Sequence, residues 1–163
     1  MKPPRFGYHD PQTLREALDL LARLENARPL AGGQSLMPML NMRFVFPDHL
    51  VDLNRVGDLQ GISFDNGELR LGAMTRQRDL EFSDIVARHC PLMAEASLLV
   101  GHRQTRNRGT IGGSLCHLDP AAETMAKSPC RRAYSTKAAP CPAGHAGRRM
   151  AVSNSSGSSA GVM

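Results

Sequence analysis

Apolar residues recur in two rhythms along the chain, and the change from one to the other marks where helices give way to strands. Behind Asp10 and Pro11, the residues Leu14, Leu18, Leu21 and Leu24 fall at helical spacing. Residues 11–24 are therefore predicted to form an amphipathic helix with Asp10 as its cap and Pro11 in its first turn. Residues 28–31 read as a short strand running straight into Gly32-Gly33, after which Ser35 is placed to cap a short helix carrying Leu36, Met37 and Leu40. A second strand is expected at 49–53. Residues 62–64 and 69–73 flank Asp65-Asn66-Gly67, and Asn-Gly is the favoured chemistry of a tight hairpin turn. Further on, Thr75 can cap a helix through Phe82, Ser83 or Asp84 another through Arg88, and Pro91 begins a third that carries Leu92, Ala96 and Leu99 and stops at Gly101. Residues 102–108 have no apolar periodicity and read as a basic connection, while Asp119-Pro120 opens another capped helix. Short strands alternating with helices argue for an α+β fold.

Composition changes this picture at one end only. A chain of 163 residues, 41% hydrophobic and 21% charged, is globular and holds one ordinary domain or two small ones. All 15 acidic residues lie between Asp10 and Glu123, whereas residues 124–163 carry Lys127, Arg131, Arg132, Lys137, Arg148 and Arg149 and no acid. The formal net charge of +5 thus comes from the tail. That segment also lacks Leu, Ile, Phe and Trp, so it has little with which to offset the entropy of ordering a backbone. It is expected to be a disordered basic tail, with a composition resembling a gene read out of frame. Its charges are scattered and no aromatic run accompanies them, which argues against nucleic-acid binding. No run of about 18 apolar residues occurs, so no membrane span is expected, and the N-terminus has no apolar secretory region. Cytoplasm is the expected location. Cys90, Cys116, Cys130 and Cys141 form no Cys-x-x-Cys pair, which points to unligated thiols rather than a zinc or iron–sulfur site in this chain.

The candidate chemistry lies in two glycine segments, Ala31-Gly32-Gly33-Gln34-Ser35 and Thr110-Ile111-Gly112-Gly113-Ser114. Glycine pairs let backbone N–H groups approach an anion at distances a Cβ forbids, and Ser35, Thr110 and Ser114 add hydroxyls. Two such segments suggest a cradle for a diphosphate, with plain turns as the alternative for each alone. Neither is a Gly-x-Gly-x-x-Gly after a strand, and no Walker motif occurs. The arginines of 102–108 are either solvated or complement the charge of such a ligand. Met37, Met39 and Met42 are expected to pack rather than ligate, and His102 and His117 to hydrogen-bond rather than catalyse. No Ser/His/Asp or Cys/His arrangement is apparent, so no catalytic side chain is expected.

In order, Ala31-Gly32-Gly33-Gln34-Ser35-Leu36, Val51-Asp52-Leu53-Asn54, Leu71-Gly72-Ala73-Met74-Thr75, Arg106-Asn107-Arg108-Gly109-Thr110-Ile111-Gly112-Gly113-Ser114 and His117-Leu118-Asp119-Pro120-Ala121-Ala122-Glu123 resemble the FAD-binding medium subunit of molybdenum hydroxylases, the carbon monoxide dehydrogenase and xanthine dehydrogenase group. The resemblance covers about residues 4–123. It implies a fold of the vanillyl-alcohol-oxidase (PCMH) type, with FAD between two small α+β subdomains, 1–55 and 56–123, the second incomplete and the family's C-terminal domain missing. It further implies that Ala31 to Ser35 and Thr110 to Ser114 hold the FAD diphosphate and ribityl region, that Asp119 accepts from a hydroxyl, and that Leu71 and Gly72 line the cofactor pocket. The implied function is an oxidoreductase's electron relay. A large subunit with a molybdenum cofactor hydroxylates the substrate, an iron–sulfur (2Fe–2S) small subunit carries the electrons, and the flavin passes them to an acceptor. This chain alone is expected to be inactive. The alternatives are a non-catalytic nucleotide-binding or scaffold module and a nonfunctional remnant.

Overall fold

The computed structural model describes residues 2–118. The elements run β1 (Gly7–His9), α1 (Leu14–Arg23), β2 (Ala27–Leu30), α2 (Leu36–Asn41), β3 (His49–Asp52), a 3-10 turn (Gly57–Leu59), β4 (Ile62–Asp65), β5 (Glu68–Leu71), α3 (Gln77–Glu81), α4 (Asp84–His89), α5 (Pro91–Leu99), α6 (Arg103–Arg108) and α7 (Ile111–His117). The mixed helix and strand content is the expected α+β class. The helix expected at Asp119-Pro120, the site residue Asp119 and the tail 124–163 lie outside the described residues.

The strands of the first half form a parallel sheet of order β1-β3-β2, with Gly7 and Ala27 both in register with His49. Parallel neighbours need crossovers, which α1 and α2 supply. Helix α1 begins later than the leucine spacing predicts. Thr13 is its cap, its hydroxyl accepting from the Glu16 amide at 3.2 Å, while Asp10 instead pairs with Arg55 at 2.9 Å. The inward stripe is also shifted: Ala17 is fully buried and Leu18 is 48% exposed, so the stripe runs through Leu14, Ala17 and Leu21. That face packs with Val51 and Val56 into one apolar cluster, which also takes in Leu53 and Leu59.

Strands β4 and β5 pair antiparallel as expected, and Asn66 and Gly67 take positive φ values of 50° and 79° in the turn. Thr75 does not cap the helix that follows. Its hydroxyl donates to the Gly61 carbonyl at 2.9 Å, and Arg76 occupies the cap position of α3, its amide donating to Asp79 at 3.3 Å. Ser83 caps α4 by accepting from the Val86 amide at 3.3 Å, and Pro91 opens α5. Leu69, Leu71, Leu80, Val86, Cys90, Met93 and Ile111 form a second apolar cluster, joining the hairpin to the helices. Burying each such leucine or valine stabilises by roughly 1.5–3 kcal/mol. The basic stretch predicted as a connection is helix α6. Arg106 bonds Glu81 at 3.0 Å and also donates to the carbonyls of Val100 and Gly101 at 3.2 Å, closing the end of α5.

Candidate functional site

Parallel strands leave their carboxyl ends open to a crevice. Beyond Leu30 of β2 and Asp52 of β3 lies a cleft of about 440 Å³. Ala31, Gly32, Gly33 and Gln34 form one wall, Leu30, Met37 and Pro38 an apolar flank, and Tyr8, Asp52 and Arg108 the polar and charged rim. The depression on the outer face of α1, lined by Arg15, Glu16, Asp19 and Arg23, is a solvated charged surface.

The two glycine segments touch beside this cleft, whose lining takes in Ala31 to Gln34 of the first and Arg108 just ahead of the second, but none of Thr110 to Ser114. A Cβ on Gly32 would lie 2.2 Å from the Arg108 carbonyl oxygen and 2.9 Å from the Gly109 Cα, and one on Gly113 would lie 3.5 Å from the Ala31 Cβ. Backbone thus packs on backbone where a side chain cannot fit. Gly33 makes the turn with φ +73°, a conformation disfavoured for residues with a Cβ. The amides of Gly32, Gly33, Gln34 and Ser35 have no acceptor among the described residues. Ser35 sits at the cap position of α2 but makes no side-chain cap bond, contrary to the sequence expectation. Gln34 folds back, its side-chain amide donating to the Gly32 carbonyl at 3.2 Å.

The second segment is built differently. Thr110 caps α7, its hydroxyl accepting from the Gly113 amide at 3.1 Å, and Gly112 and Gly113 lie inside the first turn of that helix rather than in a loop. The Ile111 amide donates to the Thr75 carbonyl at 3.1 Å and the Gly112 amide to the Ala73 carbonyl at 2.7 Å. These donors are engaged within the chain, and a Cβ on Gly112 would lie 2.7 Å from the same Ala73 oxygen. Among the described residues, the first segment alone of the two presents a run of amides with no acceptor.

A polar network runs from Tyr8 and Asp52 on the rim of the cleft through Asn54 to Arg76. The Tyr8 hydroxyl donates to Asp52 at 2.5 Å. The Asn54 amide donates to Asp52 at 2.8 Å, and its side chain donates to the Ala31 carbonyl at 3.0 Å. Arg76 donates through Nη2 to Asn54 Oδ1 at 2.5 Å and through Nη1 to the Arg108 carbonyl. Asp52 and Asn54 belong to the Val51-Asp52-Leu53-Asn54 stretch that carries part of the family resemblance, whereas Arg76 has no sequence signal. Burial, followed by the nearby Arg108 cation, lowers the pKa of Arg76, with Asp79 and Asp52 opposing.

The remaining expected site residues lie elsewhere. Leu71 is buried in the second apolar cluster, and Gly72 packs where a Cβ would lie 2.3 Å from the Leu59 carbonyl oxygen, so neither borders the cleft beside Gly32. His102 and His117 are exposed. No helix among the described residues is long and apolar enough to cross a membrane.

Residues 4–129 match the family model described as the FAD binding domain in molybdopterin dehydrogenase. The chain is 47% identical over 129 residues to the carbon monoxide dehydrogenase medium chain of Hydrogenophaga pseudoflava, covering 78% of this chain and 45% of that one. It is 44% identical over 123 residues to the glyceraldehyde dehydrogenase medium chain of Sulfolobus acidocaldarius, covering 76% of this chain and 44% of the relative. Its fold superposes with a TM-score of 0.74 and 44% identity on the crystal structure of quinoline 2-oxidoreductase from Pseudomonas putida 86, covering 76% of this chain and 44% of that one. The chain spans less than half the length of these relatives. With identities of this size over most of its own length, the chain belongs to the family of FAD-binding domains found in molybdopterin dehydrogenases.

Proposed function

We propose that this chain is the FAD-holding part of the medium subunit of a molybdenum hydroxylase, with Gly32 to Ser35 on the diphosphate. The main support is that the first glycine segment lines the cleft with four consecutive amides that have no acceptor among the described residues, while its Gly32 packs against the Arg108 and Gly109 backbone that leads into the second. The residues fit the group. A backbone without Cβ atoms at Gly32 and Gly33 admits phosphate oxygens, the exposed Arg108 supplies counter-charge at the rim, and Leu30, Met37 and Pro38 offer an apolar flank. In this reading Ser114 faces the cofactor from the α7 side, Thr110, 2% exposed and engaged as the α7 cap, holds the start of that helix, and Ile111, Gly112 and Gly113 act by letting it approach closely. Leu71 and Gly72 belong to the proposed site only if the cofactor extends beyond the cleft. In the proposed two-unit division, 1–55 and 56–123, Val56 and Leu59 of the second unit pack against the apolar cluster of the first.

When bound, FAD supplies the redox chemistry. The chain's own groups bind and orient it: amides donate to the diphosphate, Gly33 holds the turn that aims them, and the apolar flank excludes water. No side chain at the cleft is required to move a proton. Relatives named as medium chains of carbon monoxide and glyceraldehyde dehydrogenases support two proposed partners, a large subunit with a molybdenum cofactor and a small iron–sulfur subunit. Electrons would pass from the clusters through the flavin to an acceptor.

Titration of the full chain with FAD and with ADP, followed by flavin fluorescence and by calorimetry, tests this reading. FAD is expected to bind at least about tenfold more tightly than ADP. Equal affinities would favour a nucleotide-binding scaffold, and no FAD binding at all would remove the reading.

A further inference from the structure

We propose that Arg76, acting through Asn54, is a positioning residue that fixes the spacing of the two glycine segments and so the aim of the Gly32 to Ser35 amides; its consequence for FAD rests on the function proposed above.

The bridge has three links. Arg76 Nη1 donates to the Arg108 carbonyl, the group against which Gly32 packs. Arg76 Nη2 donates to Asn54 Oδ1 at 2.5 Å, and Asn54 Nδ2 donates to the Ala31 carbonyl at 3.0 Å. Asp52 holds the Asn54 backbone from behind, accepting its amide at 2.8 Å. The carbonyls of Ala31 and Arg108, one from each side of the Gly32 contact, are therefore tied to a single guanidinium. Without the bridge, that contact is backbone against backbone at a residue with no side chain.

The chemistry selects arginine. A planar fork can serve acceptors on two separate chain segments at fixed divergence, whereas a single ammonium on a flexible stem reaches one or the other. Both side-chain bonds of Arg76 go to neutral oxygens, with the like-charged Arg108 close by. A half-buried guanidinium gains more from carboxylate partners than from neutral carbonyls, so stability alone does not account for this placement.

The test compares the full chain with Arg76→Lys and Asn54→Ala, using backbone relaxation of the ligand-free protein and FAD titration. Both variants are expected to lower the amide order parameters at Gly32, Gly33 and Gln34 from about 0.85 to below about 0.6, with the β4–β5 hairpin unchanged. FAD affinity is expected to fall about tenfold in each, and the double variant to be little worse than either single one, as members of one bridge must be. Unchanged order at Gly32 to Gln34 in a folded variant, or fully additive losses of affinity, would overturn the proposal. If the parent chain fails to bind FAD, the functional reading falls while the relaxation measurement still decides the bridge. Asn54→Ala leaves the Arg76 to Arg108 bond in place, so it decides the bridge on its own should Arg76→Lys fail to fold.

Discussion

Asp52 accepts the Tyr8 hydroxyl at the rim of the cleft, and that bond, then partial burial and the charges of Asp52 and Asp10 against Arg55, pushes the phenol from 10.0 up to about 12. The raised value means that the fold favours the neutral phenol. The associated stabilisation is complete below about pH 10, the ordinary tyrosine range, and is lost as pH rises through about 12. Asp52→Asn is expected to return Tyr8 towards 10.0. Tyrosinate absorbance reads this, with Tyr8→Phe subtracting the contribution of Tyr134, and an unmoved titration would show that Asp52 is not the cause. At this scale the sequence reveals the glycines but only part of their purpose. Gly32 and Gly112 are required by chain packing against Arg108 and Ala73 whether or not a ligand is present, so substituting them cannot separate folding from cofactor binding. The leucine spacing misleads at Leu18 because Ala17, small enough to vanish from a leucine count, is the residue that faces the core.

Helix α6 shows what periodicity cannot detect at the scale of the element. Arg103 to Arg108 contains no apolar residue, so nothing in its pattern distinguishes a helix from a solvated connection. Its docking is ionic. Arg106 and Glu81 pair at 3.0 Å with side chains only 11% and 14% exposed, while Arg55 and Asp10 pair at 2.9 Å with 59% and 50% exposed. Breaking a largely desolvated pair strands a charge, whereas an exposed pair is screened by water. Glu81→Gln is expected to destabilise by about 3 kcal/mol in urea unfolding, near the low end for buried pairs. Asp10→Asn is expected to cost less than about 1 kcal/mol. Equal costs would mean that α6 is not held by this bond. Strand β1 is illegible in the sequence for a related reason, since three residues cannot display an alternation and its partner β3 follows only after α1, β2 and α2. The hairpin at Asn66-Gly67 and the helices opened by Ser83 and Pro91 are legible because their signals are local.

Across the whole molecule, ordered motifs carry the family, but the parallel order β1-β3-β2 and the joining of the two glycine segments through Arg76 depend on contacts between distant residues. Those contacts place the open amides of the first segment at the carboxyl ends of β2 and β3, the position proposed for the FAD diphosphate. Amide chemical-shift mapping of the full chain, titrated with FAD and with riboflavin, which lacks the diphosphate, tests this most directly. Saturable shifts are predicted at Gly32, Gly33, Gln34 and Ser35 with FAD, and little change there with riboflavin. Shifts that bypass these four amides, or that riboflavin reproduces, would contradict the proposed diphosphate site.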